Sequence, residues 1–381
     1  MKNNQTIKKC ALCTNLLTKE NLTKEHIIPN SIGGRKKTKG FICNTCNNDY
    51  GKKWEAVLAE QFLWFSLATG IKRERGTPPN LQIKTTAGEE LLLRHDGTMT
   101  PANPTYIEQK EENGKIKIQL QVRTKEEANH IIKGVIKKYP SLDAKAVMEN
   151  FVVNQRYLDI PVKMNFEFGG QNGGRSMVKT ALALASEYGI NHNECVKAIN
   201  YLKNEDVFPP FGFCYIVDIV ENRPQEEIFH CVAVRGLREH GKLLAYVEYF
   251  NMARILIELN DKYNGEDFYH SYAIDPTTGT EIHIDVNFNI DKEVLQKIIN
   301  DDEMPLDKYT EAANYVLPIV LKKNFHRERN RVFTDAAKFA FEKLGVKPDD
   351  SLPPEKYQKF SALIVERIMP FLTAHMKNRI N

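Results

Sequence analysis

Four cysteines near the N-terminus constrain this chain more than any other feature. Cys10, Cys13, Cys43 and Cys46 form two Cys-x-x-Cys pairs with 29 residues between them. Thiolates two residues apart on a tight turn can both reach one Zn²⁺ at about 2.3 Å, and two such turns complete a tetrahedral shell. The spacing predicts a structural zinc that fastens two distant turns. Disulfides are the competing reading, but the opening MKNNQTIKKC has no apolar stretch or small-residue cleavage site of an export signal. The expected setting is the cytoplasm, where thiols stay reduced and such pairs bind metal or do redox work. Cys195, Cys214 and Cys231 stand singly in apolar surroundings and read as small buried hydrophobes.

The segment between the pairs has its own pattern. Glu25 to Pro29 is a short β-prone run, Gly33 and Gly34 mark a turn, and Gly40 to Cys43 reads as a returning strand. After Cys46, Trp54, Val57, Leu58, Phe62, Phe65 and Leu67 approximate helical spacing up to Gly70. The expected unit is ββα, with Glu25, His26 and Asn47 on one concave side. Adjacent residues of a regular strand point to opposite faces, so Glu25 and His26 share a site only if the strand begins or twists there.

Charge sets the same segment apart. Residues 1–76 hold 14 Lys and Arg against 6 Asp and Glu, whereas the remainder holds 39 against 43. Such asymmetry predicts a polyanion-binding module attached to something that is not one. Arg35, Lys36, Lys37, Lys39, Lys52 and Lys53 flank the presumed site and are the expected contacts to a nucleic-acid backbone. A second basic stretch at 322–331 reads as a solvated helix surface. No run of 18 apolar residues exists, so no membrane partner is expected.

The residues CALC, EHIIP, IGG and ICNTCNNDYG together resemble the HNH endonuclease family, in the branch whose ββα-metal motif is buttressed by a Cys-x-x-Cys pair on each side. The resemblance covers roughly residues 8–60. It implies that His26 is the general base, that Glu25 holds the acidic metal-ligand position, and that Asn47 is the third motif residue beside the same catalytic Mg²⁺ or Mn²⁺. A phosphodiester hydrolase needs those parts: a base for water, and a hard cation held by oxygen donors. Two positions depart from the family: Thr38 stands about where a central Asn is usual, and Tyr50 stands where many members carry Lys. The implied partner is nucleic acid, expected to be double-stranded DNA, in restriction or anti-phage defence. The competing function is a zinc-containing, non-catalytic nucleic-acid-binding scaffold.

Beyond a linker at 73–80, the expected fold class is α+β with three parts: a nuclease module at 1–76, an α+β target-recognition or sensor region at 77–304, and a helical region at 305–381. LQIKTT, ELLLRH and KIKIQLQVRT read as strands; EEANHIIKGVIKKY and MVKTALALASEYG read as helices. From CYIVDIV to EIHIDVNF the pattern is an antiparallel meander, and beyond Pro305 it is helical throughout. Gly169–Ser176 fits a phosphate-loop pattern with Arg175 in place of Lys, but no buried parallel strand precedes it. It reads as a glycine-rich turn rather than an NTPase site, leaving Arg175 and the helix start as a place for an anion. The acidic remainder is expected to restrain the nuclease, through a target, a second copy, a defence-system partner or a small-molecule or nucleotide trigger.

Overall fold

The computed structural model describes residues 8–110, 116–149, 156–300, 305–347 and 350–380. It divides into two compact units: residues 1–78 with 166–324, and residues 79–165 with 325–381. These units cut the chain differently from the three consecutive parts read from sequence, because the chain leaves the first unit at Pro78 and returns at Phe166.

The N-terminal ββα unit forms as the spacing predicts. Strand β1 (Leu22–His26) pairs antiparallel with β2 (Lys37–Cys43), and Cys43 caps helix α1 (Asn44–Tyr50), its sulfur accepting the Cys46 N–H. The connection makes a 3-10 turn at Asn30–Ile32 that ends on Gly33 at φ 101°, a left-handed geometry that glycine adopts at no steric cost. A π-helical turn at Gly51–Glu55 follows α1, then α2 (Ala56–Gln61) and α3 (Leu63–Thr69).

The second unit begins with β3 (Leu81–Thr85), β4 (Glu90–Leu93) and β5 (Met99–Pro101), then a separate hairpin, β6 (Thr105–Lys110) and β7 (Ile116–Gln121). Helix α4 (Lys125–Lys138) is capped by Thr124, and α5 (Ala144–Glu149) precedes β8 (Val162–Lys163). The four-stranded sheet has the order β5-β4-β3-β8.

Residues 166–324 build the rest of the first unit. Helix α6 (Gly170–Glu187) and α7 (Val196–Lys203) precede a six-stranded antiparallel sheet of β9 (Phe211–Phe213), β10 (His230–Leu237), β11 (Lys242–Tyr249), β12 (Ala253–Asn260), β13 (Phe268–Asp275) and β14 (Thr280–Ile282). Its order, β14-β13-β10-β11-β12-β9, is not a simple meander, since β13 crosses back to pair with β10. Residues 214–220 and 283–288, read as strands from sequence, instead meet at a single bridge between Val220 and Val286. Side chains alternate along the central strands. Val232, Val234, Ala245 and Val247 face the core that contains α6, while Cys231, Ala233, Leu244 and Tyr246 face a second core with Ile298 and Ile299 of α8 (Lys292–Asn300).

Helix α6 is the middle layer. Its residues Gly173–Ala185 are all buried, as expected of a helix covered on every side. Cys10, Ile28, Trp54, Leu58 and Phe62 of the N-terminal domain share one hydrophobic core with Met177, Val178, Leu182 and the sheet. The glycine-rich segment at 169–176 is therefore a correction to the sequence reading: it is the first two turns of α6, not a loop. A Cβ at Gly173 would stand 2.5 Å from Gln61 Oε1, and one at Gly174 2.5 Å from the Phe211 ring. These glycines permit close packing. Arg175 is buried, stacks on Tyr201 and donates to the carbonyls of Gln171 and Asn204, so it is committed to structure rather than to an anion.

The chain ends in α9 (Leu306–Leu344) and α10 (Tyr357–Ile380). Within the second unit they run antiparallel, with Phe325 stacked on Phe371 and Phe341 against Phe360. Residues 306–324 of α9 count instead with the first unit.

Candidate active site

The four sulfur atoms of Cys10, Cys13, Cys43 and Cys46 lie within 4.8 Å of one another. Three of these cysteines are buried, and the Cys43 N–H points at the Cys10 sulfur at 3.3 Å. Soft sulfur donors, four in number and this close, fit a structural Zn²⁺. Such an ion would fasten the start of the domain to the N-terminus of α1, and so fix Asn47 one residue beyond Cys46.

Glu25 and His26 are the last two residues of β1. The strand ends there, which releases the alternation that would otherwise send them to opposite faces, and both line an open cleft of about 440 Å³ together with Asn47. The same cleft is lined by Glu55, delivered by the π-helical turn, and by the cations Lys24, Lys52, Arg73 and Arg75.

His26 Nε2 lies 3.4 Å from Glu74 Oε1. Burial, aided by Lys37, holds its imidazole below the ordinary 6.5, so the ring is neutral near pH 7 and able to accept a proton. Glu25 is nearly inaccessible, and burial pushes its carboxyl up to about 7 against the pull of Lys179. The Lys179 ammonium, from α6, lies 2.6 Å from Glu25 Oε1 and 3.5 Å from Asn47 Oδ1, and pairs with Glu55. Burial disfavours its charge, but the two carboxylates outweigh that and raise its pKa. Glu55 is also desolvated, yet Lys179 holds it low. The Asn47 amide nitrogen points at Thr23 Oγ1 at 3.3 Å, which leaves the amide oxygen directed to the cation position.

Sequence reasoning missed Lys24, Glu55, Arg73, Glu74, Arg75 and Lys179. Glu55 and Lys179 each carried a signal, a charged residue within an apolar helical run (WEAVLAEQF and MVKTALALA). Arg73 and Arg75 fall in what was read as a linker. Of the basic residues named from sequence, Lys52 lines the cleft and Lys39 is exposed. The others have partners inside the unit. Arg35 donates to the Lys72 carbonyl, Lys36 lies over the Tyr188 and Tyr272 rings, Lys37 pairs with Glu74, and Lys53 with Glu205.

The loop after β1 is held from outside the domain. His230 Nε2 donates to the Ile32 carbonyl at 2.8 Å, and the Lys36 N–H donates to the Tyr272 hydroxyl. Thr38, at the position of the usual Asn, is buried opposite Glu25 in the strand pair. Tyr50, in place of Lys, stacks on Trp54 at 4.0 Å.

A four-cysteine cluster suited to zinc within a ββα unit, with a histidine and oxygen donors facing one cleft, defines a ββα domain of the nuclease kind. Comparison with known families gives the particular one: residues 10–63 match the HNH endonuclease family, and this segment is an HNH endonuclease domain. Neither a curated protein nor a solved structure matches the chain. No helix among the described residues is long and apolar enough to cross a membrane.

Proposed function

We propose that this chain is a metal-dependent endonuclease that hydrolyses phosphodiester bonds in DNA, working in restriction or anti-phage defence. The observation that carries the reading is the convergence of Glu25, His26 and Asn47 on one open cleft inside an HNH domain. A binding-only scaffold has no use for that trio.

His26 is the general base: its neutral imidazole takes a proton from the attacking water, and Glu74 beside it favours the imidazolium that results. Lys24, Lys52, Arg73 and Arg75 draw the phosphate into the cleft and oppose the charge that builds on it. The hard oxygen donors of Glu25, Asn47 and Glu55 already surround an ammonium, so the donor set suits Mg²⁺ or Mn²⁺, with Glu25 and Asn47 as the residues that would hold it. When bound, such an ion supplies charge stabilisation at the phosphate and help for the leaving oxygen. The acidic remainder of the chain restrains cleavage until a target, partner or trigger engages it.

The test is cleavage of plasmid DNA by the purified protein with Mg²⁺, Mn²⁺ or EDTA, beside His26→Ala. Cleavage that needs a divalent ion, and that His26→Ala abolishes while zinc content and DNA affinity persist, supports the reading. A His26→Ala protein that cuts at the wild-type rate refutes the base assignment, and no cleavage of any nucleic acid by the wild type leaves the scaffold reading.

A further inference from the structure

The Lys179 ammonium touches oxygens of three residues, Glu25, Asn47 and Glu55. All three of those residues line the cleft, whereas Lys179 does not, and its side chain is only 3% exposed. The cation therefore approaches the cluster from the core side, and the carboxylates present their remaining valence to the cleft. Lys179 comes from α6, more than a hundred residues beyond the segment that matches the HNH family. Its position is fixed along the helix, since Gly173 and Gly174 set the close approach of α6 to α2 and β9 six and five residues earlier, and Thr180 next to it bonds the Tyr249 hydroxyl at 2.7 Å.

We propose that Lys179 is a positioning residue of the nuclease site: its ammonium fills the inner place between Glu25, Glu55 and Asn47, and so confines a divalent ion to the cleft side of these groups, beside His26. The proposal rests on the endonuclease reading and extends it, because it makes residues outside the HNH domain part of the site. Two carboxylates, Glu25 buried and Glu55 half-buried, without a lysine between them form a doubly negative pocket that would draw a divalent ion inward, away from the water that His26 activates. With Lys179 in place the inner oxygens are satisfied, and the ion meets a weaker, shallower site. The physical signature follows from charge: removing the lysine tightens metal binding while slowing the reaction. A residue that merely stabilised the fold would not tighten binding when lost.

The test uses the full chain and Mn²⁺ as the probe, with affinity read by electron paramagnetic resonance and cleavage read at saturating Mn²⁺. Zinc content serves as the folding control. Lys179→Met should keep its zinc, bind Mn²⁺ at least tenfold more tightly than wild type, and cut at least tenfold more slowly. Lys179→Met combined with Glu55→Gln, which removes one charge of each sign, should return the affinity to within about threefold of wild type. Should Lys179→Met alone lose its zinc, Glu55→Gln is compared with the double variant, and the double variant should bind Mn²⁺ at least tenfold more tightly. Unchanged or weaker Mn²⁺ binding on loss of the lysine, in a wild type that itself binds Mn²⁺ and cuts, overturns the role of Lys179. A wild type that neither binds Mn²⁺ nor cuts overturns the nuclease reading and this proposal with it.

Discussion

His230 links the large sheet to the loop after β1, and its removal should be costly in a way that pH exposes. The residue opens β10 and is fully buried. Its Nδ1 accepts the Phe250 N–H at 3.0 Å, which places the ring proton on Nε2, where it is donated to the Ile32 carbonyl at 2.8 Å. His230→Phe keeps a ring of similar size but strands a buried donor and a buried acceptor at about 1–3 kcal/mol each, about 4 kcal/mol in all. Burial also pushes the histidine pKa down to about 4 from 6.5. Below pH 6.5 the unfolded chain therefore binds a proton that the folded chain refuses. The stability that His230 contributes is complete above pH 6.5 and falls by about 1.4 kcal/mol per pH unit as the pH drops toward 4. Urea unfolding of both proteins at pH 7.5, 6.0 and 5.0 should give a wild-type advantage of about 4 kcal/mol at the highest pH. That advantage should shrink by about 2 kcal/mol at the lowest. The variant should also cut more slowly, since Ile32 belongs to the loop between His26 and the Gly33-Gly34 turn. A pH-independent difference, or a His230→Phe protein as stable as wild type at pH 7.5, would refute the reasoning.

Further outcomes follow from the same structure. Cys43→Ser removes a zinc thiolate and the cap of α1, so elemental analysis should find metal lost and circular dichroism should find the domain unfolded; a zinc-replete variant would count against a four-cysteine site. Gly34→Ala would place its Cβ 1.8 Å from the Ile28 carbonyl oxygen, so it should lower stability by at least about 2 kcal/mol in a urea titration and reduce cleavage, and a wild-type midpoint would contradict the packing. Residues 1–76 expressed alone lose Lys179 and uncover Phe62 and Phe65, each worth about 2–3 kcal/mol of burial. That fragment should be poorly folded by circular dichroism and inactive on plasmid; a folded, active fragment would show that α6 is dispensable.

The four-cysteine cluster, the ββα order and the meeting of Glu25, His26 and Asn47 on one side of the unit were legible in the sequence because each rests on local spacing. Two residues between thiols, a turn marked by Gly33-Gly34, and an asparagine directly after Cys46 act over a few positions, where chain geometry leaves few alternatives. The helix periods at 126–139 and 177–189 were legible for the same reason, and α4 and α6 cover them with shifted ends. What tertiary structure alone decided are contacts made across long loops. Lys179 meets Glu25 across 154 residues, and His230 meets Ile32 across 198. A buried charge leaves a trace in sequence only as an oddity in an apolar run, and nothing in such a run names its partner. The strand order was likewise decided in three dimensions: β13 returns to β10 because the free edge of β10 lies there, not because any residue of HSYAID announces it. The basic residues teach the same lesson from the other side. Composition counted Arg35, Lys36, Lys37 and Lys53 as free charge, but packing brought each of them a carbonyl, a ring or a carboxylate, and turned Arg73 and Arg75 toward the cleft instead.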